Sequence, residues 1–549
     1  MKNILVIAIL MVSSAVGYAQ QKATKDRPNI ILIMADDLGW VDVSTGQTNG
    51  GRGSKIYRTP NIDRIASQGM SFTNAYTQQN CAPTRASLIS GQYPTGVDNN
   101  VYNVDVEELG AGLSRQDRRT EGFPNLPIEP YRQQMVISED GFNIFDMAKK
   151  AGYQTALVGK SHGTPRPLKG DYGLDLPGDI HHIINATVNG EEQQIYFLAA
   201  NDDSTGWTFK SKYVNKYSEP YDQQYIKQVL APFKGQSDLT KLTGTAKHLT
   251  DAMGDYCVDY IKEKADKADP FFLYVPFNAV HYKVTGRTDL TAKYLAQGLD
   301  KRKAEYASMI ELLDQNIGKI NNAVKDPNGD GDFSDDMSSN TLFIVYSDNG
   351  GVRGNAPLTG GKGVFTEGGI RVPLICRWPG VIAPNTVTNQ AVHCIDFYPM
   401  LAELIGVDLS TLKKENGEGV QLDGVSFAKI LRGEKKRLER ENLFWHFPGY
   451  MDKRLRPCTM IQKRVGDDYY KLFYYYETEE YLMYHVNEDL SEVNNLLENP
   501  SSKEKELALV MNHDMLEWLE VNNAPTGTWV KGGGKVPYPK EDGVLKYYK

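Results

Sequence analysis

Four short apolar runs stand out along the chain: Asn29 to Met34 (NIILIM), Thr155 to Val158 (TALV), Phe271 to Val275 (FFLYV) and Thr341 to Tyr346 (TLFIVY). Each is rich in β-branched or aromatic residues and bounded by polar, Gly or Pro positions, the signature of buried strands. Helical periodicity fills the intervals, over Ile144 to Ala151, Thr245 to Lys267 and Leu299 to Val324. Strands alternating with helices predict an α/β sheet covered on both faces. Just past each apolar run stands a cluster of charged or imidazole side chains, and open α/β sheets bind ligands beyond the carboxyl ends of their strands. The four clusters are therefore predicted to converge on one site. A charged stretch from Glu434 to Glu441 (EKKRLERE) reads as a linker to strands rich in Tyr and Phe, such as Asp467 to Glu477. A helix from Ser502 to Val521 follows, with Leu507, Val510, Met511, Met515 and Trp518 at helical spacing, then a Gly/Pro/Lys-rich tail from Pro525.

With 549 residues, the chain accommodates a large domain, 26–435, and a smaller C-terminal one, 441–549, with a small antiparallel sheet and a helix. Residues 1–19 form a predicted signal peptide: Lys2, an apolar run from Ile4 to Val12, and small residues up to Ala19. That run is too short to cross a bilayer, and no later stretch reaches the ~20 apolar residues a spanning helix needs. The expected location is periplasmic or secreted, with no membrane span. A net charge of -8 argues against a nucleic-acid partner, so an anionic substrate must be held locally. Five widely spaced cysteines do not make a disulfide framework. Cys257 and Cys376 sit in apolar surroundings as small hydrophobes; Cys81 does not.

Cys81-Ala82-Pro83-Thr84-Arg85, continuing to Ser90-Gly91, resembles the C-x-P-x-R signature of the formylglycine-dependent sulfatases, members of the alkaline-phosphatase-like superfamily. By itself the pentapeptide would also suit an inert structural cysteine. The resemblance implies an α/β fold with a mixed, mostly parallel central sheet flanked by helices, plus a smaller C-terminal α+β domain. It also implies that a formylglycine-generating maturation enzyme oxidises Cys81. The hydrated aldehyde then offers two geminal hydroxyls, one to attack sulfur and one to expel sulfate. A helix beginning near Cys81 would add amide dipoles and Arg85 where the anion sits.

Asp36 and Asp37 end the first strand and Asp348-Asn349 ends the fourth. Adjacent acids after a strand are commonly a cap or a solvated turn, but a divalent cation would offset their repulsion. All-oxygen ligation by these four suits a hard cation, Ca2+ or Mg2+, rather than zinc. The resemblance implies this same set, completed by an oxygen of the modified Cys81 and holding one Ca2+ ion. Gly159-Lys160-Ser161-His162 is similar to the family's G-K-x-H, with serine where tryptophan is common. Gly360-Gly361-Lys362-Gly363 and Glu367 to Pro373 (EGGIRVP) match a further block of the family. By resemblance, Lys160 and Lys362 grip sulfate oxygens, His162 orients the formylglycine and His281 protonates the leaving alkoxide. Asp326 to Asp332 opens like a calcium loop, but Met337 at the twelfth position favours a solvated acidic loop.

The expected activity is hydrolysis of sulfate esters, with a sulfated saccharide (glycosaminoglycan, mucin or another glycan) as substrate. A phosphonate monoester or phosphodiester hydrolase of the same superfamily, and a non-catalytic glycan-binding homologue, are the competing readings. Segments 97–138 and 166–225, carrying Tyr102, Asp105, Arg115, Arg118, Arg119, Tyr131, Arg132 and Trp207, are expected to shape the pocket rim.

Overall fold

The computed structural model describes residues 23–104, 126–160 and 217–548, apart from positions 132, 135, 139, 140, 218, 266, 268, 283, 415, 452 and 453. It also describes the strands His182–Val188 and Glu191–Tyr196. The four predicted runs become Asn29–Ala35, Gln154–Lys160, Phe271–Pro276 and Thr341–Ser347. They lie side by side at the centre of one large sheet. Across it the order is Thr386–Thr388, Met70–Tyr76, Arg371–Arg377, Thr341–Ser347, Asn29–Ala35, Phe271–Pro276, Gln154–Lys160, His182–Val188 and Glu191–Tyr196. The central four are parallel, with Ala35 beside Ser347, Met34 beside Pro276 and Leu157 beside Tyr274. Arg371–Arg377 runs against Thr341–Ser347, and Met70–Tyr76 runs against Arg371–Arg377. Two reversals restore direction, so Met70–Tyr76 also points its carboxyl end at the edge where the central four end.

Alternation along a strand sends neighbouring side chains to opposite faces. Ile30, Leu32 and Met34 pack on one side with Ala86, Phe145 and Leu401, whereas Ile31, Ile33 and Ala35 pack on the other with Ile65, Cys257 and Ile310. Helices Cys81–Ser90, Ile144–Lys150 and Phe397–Leu404 thus cover one face; Pro60–Ser67, Leu249–Ala265 and Lys301–Lys325 cover the other. Burial on both faces is why these strands read as unbroken apolar runs.

A second, antiparallel sheet follows chain order through Asn442–Phe447, Cys458–Val465, Asp468–Tyr475 and Glu480–His485. The helix Ser502–Val521 begins at Ser501, whose side chain and that of Glu504 form a capping box. Its buried stripe is Ala508, Met511, Met515 and Leu519, while Val510, expected inside, is 41% exposed. The charged stretch from Glu434 to Glu441 is anchored: Leu438 is buried, and the Arg440 guanidinium meets the Asp396 carboxylate at 2.6 Å. Among the described residues no helix is long and apolar enough to cross a membrane.

Candidate active site

Asp36 and Asp37 would point to opposite faces if the strand continued. Asp37 instead takes φ +62°, a left-handed conformation that Asp tolerates, and the alternation breaks. Both carboxylates then serve one site. The Asp37 amide donates to Asp348 Oδ1 at 3.1 Å, and the Leu38 amide to Ser347 Oγ at 3.1 Å, locking the two strand ends together.

Cys81 is the first residue of the helix Cys81–Ser90, as expected. Its amide donates to the Asn80 side chain at 2.8 Å. The sequence reading missed Asn80, although Asn before a helix is a standard N-cap signal. One turn on, Arg85 is 1% exposed and forks between two carboxylates. Its Nε and one Nη donate to Asp348 Oδ2 at 3.0 and 2.6 Å, and the same Nη reaches Asp36 Oδ2 at 3.2 Å. The other Nη donates to the Lys160 carbonyl at 3.4 Å. Lys160, at the end of its strand, places Nζ 2.5 Å from Asp36 Oδ2; Lys362 Nζ lies 2.6 Å from Asp37 Oδ1. Asn349 Nδ2 donates to Asp37 Oδ1 at 2.8 Å. Gly350 permits this crowding, because a Cβ there would lie 1.8 Å from the Gly368 carbonyl.

His281 donates from Nδ1 to the Tyr282 carbonyl at 2.7 Å. A carbonyl only accepts, so Nδ1 carries a proton and Nε2 is the nitrogen that gains and loses one. A ring nitrogen of His281 also lies within 4.8 Å of carboxylate oxygens of Asp36 and Asp37, in keeping with the predicted convergence of the strand-end clusters. His162 lies outside the described residues, as do Asp105, Arg115, Arg118, Arg119, Arg132, Trp207 and residues 1–19. Tyr102 is buried, with its ring edge-on to Tyr131 and His446, so it belongs to the core and not the rim. The acidic loop after Lys325 is largely exposed and bonded to itself, with Asp326 accepting the amides of Gly329 and Gly331.

Electrostatics separate Cys81 from the other thiols. Burial pushes Cys257, Cys376, Cys394 and Cys458 upward. It pushes Cys81 the same way, but the ammoniums of Lys160 and Lys362 outweigh it and bring the thiol below its ordinary value. The site thus stabilises negative charge at the Cys81 side chain. Burial raises Asp36 too, yet Lys160, His281, Arg85 and Lys362 together hold it below the carboxylate range. Burial and the neighbouring Asp36 charge push Asp348 up to about 7. Burial lowers the His281 imidazole, against the pull of Asp36.

The donor set suits a hard cation. Asp36 Oδ1 and Asn349 Oδ1 are both buried without a hydrogen-bond partner, and oxygens so placed are costly unless they meet a cation or donor.

The sulfatase family model matches residues 28–407, and the model described as N-sulphoglucosamine sulphohydrolase, C-terminal, matches residues 361–519. A sulfatase of Formosa agariphila is 48% identical over 553 residues, covering 98% of this chain and 97% of that protein. An N-acetylgalactosamine-6-O-sulfatase of Bacteroides thetaiotaomicron is 28% identical, with 70% and 75% covered. The crystal structure of Ps i-CgsB in complex with k-i-k-neocarrahexaose shares the fold at a TM-score of 0.59 and 23% identity, with 91% of this chain and 98% of that one covered. Strand-end clusters meeting in one anion-stabilising site, together with a family match over most of the chain, place this protein in the formylglycine-dependent sulfatase family of the alkaline-phosphatase-like superfamily, as a sulfuric ester hydrolase.

Proposed function

We propose that this chain is an exported enzyme that removes O-sulfate from a carbohydrate, using a formylglycine formed from Cys81 and one Ca2+ ion. The observation that carries the reading is the position of Cys81: at a helix N-terminus, under the influence of the Lys160 and Lys362 ammoniums, its side chain is the one thiol of five in a field that favours an anion. Converted to formylglycine and hydrated by one water, residue 81 would supply paired hydroxyls, one as nucleophile and one to release sulfate as the aldehyde re-forms. A Ca2+ ion held by Asp36, Asp37, Asp348 and Asn349, with an oxygen of residue 81, would polarise a sulfate oxygen.

The chain's own residues account for the rest. Asp36, Asp37 and Asp348 balance Arg85, Lys160 and Lys362 in formal charge, so a divalent cation leaves a positive excess that the single negative charge of a sulfate monoester offsets in part. Lys160 and Lys362 grip sulfate oxygens, Arg85 fixes Asp36 and Asp348, and His162 orients residue 81. His281 protonates the leaving oxygen from Nε2, a step that matters most for a sugar alkoxide, which leaves poorly unprotonated. The Bacteroides relative is named for O-sulfate on a sugar and the Ps i-CgsB structure holds a neocarrahexaose, which supports a glycan substrate. The apolar run from Ile4 to Val12 and the small residues before Gln20 support export to the periplasm or medium.

The test is sulfate release from a panel of sulfated mono- and oligosaccharides, with Cys81 conversion verified by peptide mass and Cys81→Ala as control. Release that the substitution abolishes supports the reading and identifies the sugar. Turnover confined to phosphonate or phosphodiester substrates would replace it with the sister activity.

A further inference from the structure

The loop carrying Lys362 has little structure of its own. Gly360 and Gly363 take φ +78° and +98°, and no regular element spans residues 348–366. The main domain holds it by backbone contacts: the Lys362 amide donates to the Gly351 carbonyl at 3.2 Å and the Gly363 amide to the Gln79 carbonyl at 2.7 Å. Four further bonds come from the C-terminal part of the chain. Thr359 Oγ1 donates to the Ser491 carbonyl at 2.5 Å, and the Lys362 carbonyl accepts from Arg454 at 2.9 Å. The Phe365 carbonyl accepts from Lys471 Nζ at 3.3 Å, and the Glu367 amide donates to Glu492 Oε2 at 2.6 Å.

Three of these groups form a closed ionic unit. Lys471, inside the strand Asp468–Tyr475, lies 2.6 Å from Glu367 Oε1 and 3.0 Å from Glu492 Oε1, and all three side chains are fully buried. Arg371 meets the other Glu367 oxygen at 2.8 Å, so two cations face two carboxylates. Glu492 adopts φ +48°, a conformation unfavourable for a residue with a Cβ, and its carboxylate serves both the Glu367 amide and Lys471. Simple adhesion between two sheets would be met more cheaply by apolar contact, since burying charge carries a large desolvation cost. An ionic unit instead fixes direction and distance.

We propose that Lys471 of the C-terminal sheet and Glu492 of the loop that follows it are positioning residues that set the Lys362 loop, so that this part of the chain forms part of the sulfate-binding site. The inference rests on the proposed role of Lys362. When the clamp is removed, the Lys362 ammonium loses its fixed approach to the anion, in the substrate complex and transition state alike. Uniform loss of binding raises KM and leaves kcat nearly unchanged.

The double variant Lys471→Met/Glu492→Gln keeps the buried charges balanced, with Glu367 still facing Arg371. In the full-length, Cys81-converted enzyme, the expected result is a rise of about tenfold in KM and in the inhibition constant of inorganic sulfate, with kcat changed less than threefold. Arg440→Met, which breaks another buried ion pair without touching the loop, should lower thermal stability and leave sulfate inhibition unchanged. Should the double variant not fold, Glu492→Gln alone, which keeps an acceptor for the Glu367 amide, is read the same way, with at least a threefold rise expected. A sulfate inhibition constant within twofold of the wild type in the folded variant, or an equal rise in Arg440→Met, overturns the proposal. Lys362→Ala separates the two premises. If it leaves sulfate inhibition unchanged, the role of Lys362 falls, and the clamp with it; if it weakens inhibition and the clamp variant does not, only the clamp falls.

Discussion

Replacing Lys160 by methionine keeps most of the length of the side chain and removes its charge, which isolates electrostatics at the anion site. The ammonium lies 2.5 Å from Asp36 Oδ2, and its side chain is 3% exposed, so solvent and salt screen it little. Two unit charges about 4 Å apart at an effective dielectric of about 20 interact by about 4 kcal/mol, a ceiling for what Lys160 contributes to a sulfate group in the transition state. Arg85 and Lys362 remain, and Asp36 keeps its 3.2 Å contact with Arg85, so part of the stabilisation persists. A loss of about 2 to 4 kcal/mol corresponds to a fall in kcat/KM of about 30-fold to 1,000-fold. The assay is inorganic sulfate release from the best glycan of the panel, in preparations matched for Cys81 conversion, at low and high salt. A fall under threefold would refute the placement of Lys160 on the anion. A large fall that vanishes at high salt would refute the claim that the site is shielded from solvent.

Three further outcomes are expected. Chelation should lower the thermal midpoint and added Ca2+ should restore it, by about 2.7 kcal/mol at a hundredfold excess over Kd; an Asp348→Asn protein should not respond, and equal midpoints with and without Ca2+ in the wild type would count against a cation held by these oxygens. Asp314 accepts the amides of Asn61 and Ile62 and the Asn61 side chain at 2.8 to 3.0 Å, capping the helix Pro60–Ser67 from a distant segment. Asp314→Ala should therefore cost about 3 kcal/mol in chemical denaturation, and a cost under about 1 kcal/mol would contradict it. His446 is buried neutral, donating from Nε2 to the Pro525 carbonyl at 2.6 Å and accepting from Thr459 at 2.8 Å, and burial lowers it to about 4. Its folded value lies below the unfolded one of about 6.5, so the unfolded chain binds more protons between the two. Stability should fall by about 3 kcal/mol as pH drops from about 6.5 to about 4, and His446→Gln should flatten that slope; an unchanged slope would argue that His446 is not what titrates.

The linear sequence determined the chemistry of each strand end, because a motif such as Cys81 to Arg85, or two acids after an apolar run, is set by covalent neighbours. It also determined the sheet's central strands, since burial on both faces leaves an unbroken apolar run that no surface element needs. It left open what depends on residues far apart in the chain. The fork of Arg85 between Asp36 and Asp348 and the burial of Tyr102 follow from strand order and register, which neither spacing nor composition encodes. Val510 was misplaced for a related reason: helical spacing gives a stripe, but only the packed neighbour fixes which way the stripe faces. Lys471 and Glu492 show the limit most clearly. In the sequence they are a lysine among tyrosines and an acid in a loop; only tertiary packing, which buries both against Glu367, turns them into a clamp on the loop that carries Lys362.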